Sequence, residues 1–139
     1  MVKIRKFETE KDFETVNGWC LERKNRVLNV SLLPPTTYIA SENDEDVFVV
    51  GVYFLLDVPI IMLDNFITNP NGNYWKMKRC WKIMFDFIKN LISNVEGLSG
   101  KKYSIIQCSA DSRLVKMMNK LDKSWIVING TLSPCLYNL

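Results

Sequence analysis

The residues able to do chemistry gather around one break in this chain. An apolar run over residues 60–67 ends in Thr68-Asn69-Pro70-Asn71-Gly72-Asn73, and a helical pattern opens at Tyr74. Asn71, Gly72, Asn73 and Tyr74 thus form a polar loop running into a helix N-terminus. The first N–H groups of a helix lack intrahelical partners, and the summed peptide dipoles put partial positive charge at the same end. Such a junction is suited to hold an anion. Gly72 lets the backbone approach a phosphate, while Lys76, Lys78 and Arg79 bring positive charge. Lys76, in the first turn, is the best placed of the cations; Lys78, Lys82 and Lys89 read as a solvated helix face. A plain polar turn would use the same Asn and Gly residues, so both readings stand.

A carboxylate, Asp64, lies within the apolar run beside Leu63 and close to Phe66. If buried there, its pKa would be raised; an outward-facing carboxylate on an ordinary strand is the plain alternative. There is no histidine, and Cys20, Cys80, Cys108 and Cys135 are far apart with no C-x-x-C pair. Zinc sites, Ser-His triads and Cys-His pairs are therefore disfavoured, and no metal is expected. The cysteines read as reduced, buried residues of a cytoplasmic protein. Net charge is +3 with both signs interspersed, which argues against nucleic acid as the main ligand. No apolar run reaches the roughly 18 residues of a membrane span, and the charged, strand-like start does not read as a signal peptide.

The elements that must position these residues follow from periodicity. With 139 residues, 47% of them hydrophobic, one domain with a proper core is expected. Residues 2–7 alternate as a strand. A helix runs from Thr9, with Asp12 completing a variant capping box, to about Lys24. Residues 25–35 read as a short helix or a lid-like loop ended by Pro34-Pro35. Strands follow over 37–41, 46–56 and 60–67, the last two joined by the turn Asp57-Val58-Pro59. In the helix over about 74–94, Met77, Trp81, Met84, Ile88, Leu91 and Val95 make one apolar stripe. A loop over 97–102 leads to a strand over 103–108, then a helix over 111–121. Strands over 125–128 and 131–139 flank an Asn129-Gly130 hairpin turn. Trp19, Tyr38 and Trp75 read as core rather than as lining of a cleft. A central sheet with helices on both faces is the economical way to bury this set.

This order, over the whole length, resembles the GNAT N-acetyltransferase superfamily, and in particular the short GNAT-like proteins that bacteriophages encode. MLDNFITNP at 62–70 looks like the family's fourth strand, and CSADSRLVKMMNKL at 108–121 like its fifth strand and the helix after it. The resemblance implies an α/β fold with a mixed, mostly antiparallel sheet, and a splay between the fourth and fifth strands that receives acyl-coenzyme A. The pantetheine arm would pair with the backbone of Phe66, Ile67 and Thr68. The pyrophosphate would lie on the loop with Asn71, Gly72, Asn73, Tyr74 and Lys76. The family's frequent Asn at the start of the next helix corresponds to Asp111 or Ser112. Asp64 lies near the family's usual base, and Tyr137 is an alternative proton donor.

The sequence also departs from the family. Tyr74, Lys76 and Lys78 stand where it has glycines in its phosphate loop. Met118 stands where many members have a proton-donating tyrosine, and Asp122-Lys123 where Gly-Phe is usual. Two functions follow from the resemblance. One is transfer of an acetyl group from acetyl-CoA to a primary amine on a small molecule or protein. The other is a non-catalytic phage accessory or host-interaction protein that has kept the fold and lost the cofactor; a dimeric structural module is not separable from it by sequence.

Overall fold

A computed structural model of the chain describes residues 1–95, 100, 102–110, 112–127 and 133–139. The strands are β1 (Val2–Lys6), β2 (Thr37–Glu42), β3 (Glu45–Phe54), β4 (Ile60–Thr68), β5 (Ile105–Ala110), β6 (Trp125–Val127) and β7 (Ser133–Asn138). The helices are α1 (Thr9–Lys24), α2 (Tyr74–Ser93) and α3 (Ser112–Leu121). Residues 25–35 hold a single 3-10 turn, Val30–Leu32. The strands form one mixed sheet in the order β1-β2-β3-β4-β5-β7-β6, in which β4 and β5 run parallel. The expected hairpin turn at Asn129-Gly130, the loop residues 97–99 and Asp111 lie outside the described residues.

The chain divides into two compact units. The first comprises Met1–Gly51 and Asn65–Met84. Its β2 is buried along its whole length, the polar Thr37, Ser41 and Glu42 included, and β3 through its middle, as an apolar run without alternation demands. A core of Val16, Trp19, Cys20, Leu28, Ile39, Val49 and Ile67 lies here, with Phe7, Phe13, Val30 and Leu33 packed against it. The Phe66 and Trp81 rings lie 5.4 Å apart and both pack on Phe48. Asn43 and Asp44, with φ of +52° and +65°, make the tight β2–β3 turn, and β3 begins at Glu45, one residue before the expected start. The cap of α1 also differs from expectation. Glu8 is the N-cap, and the Asp12 carboxylate accepts its backbone N–H at 2.8 Å. Arg5 donates to that carboxylate through both terminal nitrogens, and this fork draws Asp12 inward.

The second unit comprises Val52–Asp64 and Phe85–Leu139. In it the parallel ladder pairs Ile60 with Ile105 and ends at Leu63 with Cys108, although both strands run on. β5 spends its last residues on β7, down to the pair Ala110–Ser133. The rings of Phe85, Trp125 and Tyr137 pack mutually at 5.0–5.3 Å. Met118 is fully buried, as an apolar residue on the inner face of α3 should be. Along α2 the buried stripe is Cys80, Trp81, Met84, Phe85, Ile88 and Ile92, while Met77, Leu91 and Val95 are half-buried. The expected stripe was one residue off at its far end because a period of 3.6 drifts across a run of threes and fours.

Candidate functional site

The junction between β4 and α2 is built by asparagines. Asn69 donates its backbone N–H to Val47 O and its side-chain amide to Asp46 O, which ties the end of β4 to β3. Its Oδ1 accepts the N–H of Asn71 at 2.9 Å, and its carbonyl accepts that of Gly72 at 3.0 Å. Asn and Asp favour such self-made turns. A Cβ on Gly72 would stand 3.2 Å from the Asn69 oxygen, so the turn is closed on a residue without a side chain. Asn73 then caps α2, its Oδ1 accepting the N–H of Lys76 at 2.9 Å. Asn65, within β4, has φ of +53°, a left-handed residue just past the last ladder pair. Such a residue re-aims a strand locally.

The charges around this junction are partly spoken for. Lys76 pairs with Glu45, and so does not stand free for a phosphate as the sequence suggested. Arg79 grips Glu42 with two hydrogen bonds, 2.6 and 2.8 Å. The Arg79 hydrogen bond holds the Glu42 carboxyl below its ordinary range. The Lys78 ammonium lies 5.5 Å from the centre of the Trp75 ring, and Tyr74 packs edge-on against the same ring at 5.4 Å. The side chains at the three positions where glycines were expected therefore all have partners outside the loop. A cation missed in the sequence reading is Arg23, near the end of α1. Its Nη2 faces the carbonyls of Asn69 and Pro70 at 3.4 and 3.5 Å. Nothing in the sequence pairs Arg23 with a loop 46 residues away.

For Asp64 the sequence leaves two readings open, a buried base and an outward-facing carboxylate. Asp64 is exposed on β4, so the burial invoked for a base is absent. Its neighbours Leu63 and Ile67 are buried, but strand alternation turns residue 64 outward. Tyr137 donates its hydroxyl to Asp122 Oδ2 at 2.9 Å. Burial first, then this bond, pushes the Tyr137 phenol above its usual range. The Asp122 carboxyl, held low chiefly by the N–H of Ser124, keeps that proton in place. The arrangement is a latch between β7 and the residue after α3. Cys80 is fully buried and its thiol is pushed up to about 11, chiefly by burial, so it is no nucleophile. Among the described residues no cluster of His, Cys, Asp and Glu could hold a metal, and no helix is long and apolar enough to cross a membrane.

Phe66, Ile67, Thr68, Asn71, Gly72, Asn73, Tyr74 and Lys76 thus come together in the first unit. Asp64 and Tyr137 belong to the second. Ser112 opens α3.

No protein-family sequence profile matches the chain, and no curated protein matches it. Solved structures do. The ribosomal-protein-S18-alanine N-acetyltransferase of Escherichia coli superposes with a TM-score of 0.70 at 9% identity, over 99% of this chain and 94% of its own. A GCN5-related N-acetyltransferase from Kribbella flavida gives 0.69 at 13% identity, over 99% and 98%. The N-acetylglutamate synthase of Neisseria gonorrhoeae, solved with coenzyme A and N-acetyl-glutamate, gives 0.65 at 9% identity. This chain spans 35% of that synthase and is itself covered in full. At such identities the likeness is one of fold. The element order, the parallel β4–β5 pair within a mostly antiparallel sheet, and these superpositions agree: the chain has the fold of the GNAT N-acetyltransferase superfamily.

Proposed function

We propose that this chain is an acyl-CoA-dependent N-acyltransferase, moving an acetyl group from acetyl-CoA to a primary amine by direct attack. The observation that carries this reading is the strand-loop-helix junction. β4 outruns its ladder with β5, turns through an asparagine-closed loop at Gly72 and feeds the capped N-terminus of α2. A junction of this shape in this fold is suited to a pantetheine arm and a pyrophosphate.

The residues present fit such a donor. Gly72 gives the backbone close approach, the first turn of α2 offers N–H groups, and Arg23 supplies positive charge at the loop. The backbone of Phe66, Ile67 and Thr68 would align the pantetheine arm. Acetyl-CoA supplies the activated thioester. The protein's share is to position the amine against the carbonyl carbon and to polarise the carbonyl oxygen through a backbone N–H of β4. With Asp64 exposed and Tyr137 latched to Asp122, no side chain is assigned to proton transfer, and the amine would lose its proton to water. The acceptor is a small molecule or a protein carrying a primary amine.

A second reading has its own support. Lys76 and Arg79 are neutralised by Glu45 and Glu42 without any ligand, as in a protein that has kept the fold and lost the donor. That protein would be a non-catalytic accessory or host-interaction module. Titration with acetyl-CoA separates the two: binding that depends on Arg23 supports the enzyme, and no binding at millimolar donor supports the accessory role.

A further inference from the structure

One row of the sheet sets side by side two cysteines that lie far apart in the sequence. β5 and β7 run antiparallel in an unbroken register, and Cys108 of β5 is the direct partner of Cys135 of β7. On its other side Cys108 is paired with Leu63, the last pair of the parallel ladder. Cys135 is paired in turn with Val127 of β6. The whole row belongs to the second unit. Cys20 and Cys80, by contrast, lie on α1 and α2.

Neighbouring hydrogen bonds fix the phase of this row. Leu139 donates its N–H to Ser104 O at 2.8 Å, and Ile105 donates on the other side, to Pro59 O at 3.3 Å. Backbone groups of a strand alternate in direction, so residues 106 and 108 turn theirs toward β7. Along the register, Cys108 and Cys135 then form a hydrogen-bonded pair. Partners of this kind share one face of the sheet and hold their Cα atoms about 5.5 Å apart. A disulfide accepts Cα separations of about 4.4–6.8 Å. It also asks for Cβ atoms about 3.8 Å apart, against about 5 Å in an ordinary cross-strand pair. The bond is therefore within reach but draws the strands together, and such a disulfide is readily reduced again.

We propose that Cys108 and Cys135 close a reversible disulfide when the protein meets a peroxide, a redox-sensitive clasp between β5 and β7 where β5 parts from β4. One thiol, as its thiolate, attacks a peroxide oxygen; the O–O bond breaks, water leaves, and the sulfur becomes a sulfenic acid. The second sulfur attacks that sulfur, the S–O bond breaks, and the S–S bond forms with loss of a second water. Two thiols and one hydrogen peroxide thus give one disulfide and two waters, the sulfurs oxidised and the peroxide reduced. Thiol exchange with glutathione reverses the bond. Cys108 is fully buried, which selects a small oxidant and makes local opening of the sheet the gate. The closed loop, residues 108 to 135, carries α3 and β6, so the clasp restricts the unfolded chain and stabilises the folded one. It is independent of acyl transfer.

The test treats the reduced full chain with hydrogen peroxide, once under native conditions and once in concentrated urea. Remaining thiols are alkylated and the peptides mapped without reduction. The native chain should give a monomer lighter by two hydrogens, with one link, between the peptides of Cys108 and Cys135. Glutathione should restore both thiols, and the linked form should unfold at higher urea than the reduced one. The urea-unfolded chain should give mixed pairings, because no register guides it. Cys135→Ala should form no link and leave Cys108 to gain oxygen instead. The inference is overturned if the native chain links another pair, links at random or joins into dimers. It is equally overturned if peroxide adds oxygen to the parent without a link, if the thiols stay unreacted, or if the linked form is the less stable.

Discussion

Two charged corners of the first unit solve opposite problems. At the β1–α1 corner the Arg5, Asp12 and Asp46 charges answer one another within the protein. Arg5 forks onto Asp12 at 2.8 and 2.9 Å, reaches Asp46 at 2.8 Å, and Asp46 takes the Ser41 hydroxyl at 2.6 Å. Near the start of α2, Lys78, Lys82 and Arg23 form no ion pair with a carboxylate among the described residues, and the exposed Trp75 stands beside Lys78. The first corner is a staple between a strand, a helix and a hairpin. The second leaves charge and aromatic surface unspent, which is the condition of a surface awaiting a ligand. Stability should therefore live in the first corner and binding in the second, and substitutions can be chosen to break that division.

The largest effect is expected from Arg5→Met. It leaves the buried Asp12 carboxylate without its fork and should cost about 3 kcal/mol in urea unfolding, with acetyl-CoA affinity of the folded fraction unchanged. A pH signature goes with it. Burial alone would raise the Asp12 carboxyl, but the bonds from Arg5 and from the Glu8 N–H hold it below its ordinary range. A carboxyl lowered in the folded state stabilises it above about pH 4 and loses that contribution as pH falls through the folded value. Removing Arg5 should therefore move the acid-unfolding midpoint upward.

Next is Gly72→Ala, which sets a Cβ 3.2 Å from the Asn69 oxygen. We expect a stability cost of about 1 kcal/mol from the crowded turn, and acetyl-CoA binding weakened by about tenfold. Normal binding by this variant would remove the loop from the donor site. The smallest effect is expected from Tyr137→Phe, in the other unit. Loss of the bond to Asp122 should cost about 1 kcal/mol and leave the acetylation rate alone. A tenfold or greater fall in kcat would restore Tyr137 as a proton donor.

The strands and helices were legible because the hydrophobic periods are clean. The observed bounds of β2, β4 and α2 lie within a residue of those read from the pattern. The loop was legible too, since Asn and Gly in that order dictate a turn. What escaped was pairing across long stretches of chain. Neither Glu45 beneath Lys76, nor Asp122 on Tyr137, nor Arg23 over Asn69 lies close in sequence to its partner. Periodicity shows which face of an element is apolar, but not which charge waits opposite a polar one. Trp75 escaped for a related reason. A tryptophan next to a helix start is assigned to the core by its size, and only its position outside the buried stripe shows otherwise.

The central claim is that the β4–α2 junction receives an acyl-CoA. Calorimetric titration of the purified chain with acetyl-CoA tests it most directly. The account predicts saturable binding in the range of tens of micromolar, a free energy of about −6 kcal/mol, weakened in Arg23→Ala. No heat at millimolar acetyl-CoA, or binding indifferent to Arg23 and Gly72, would contradict it.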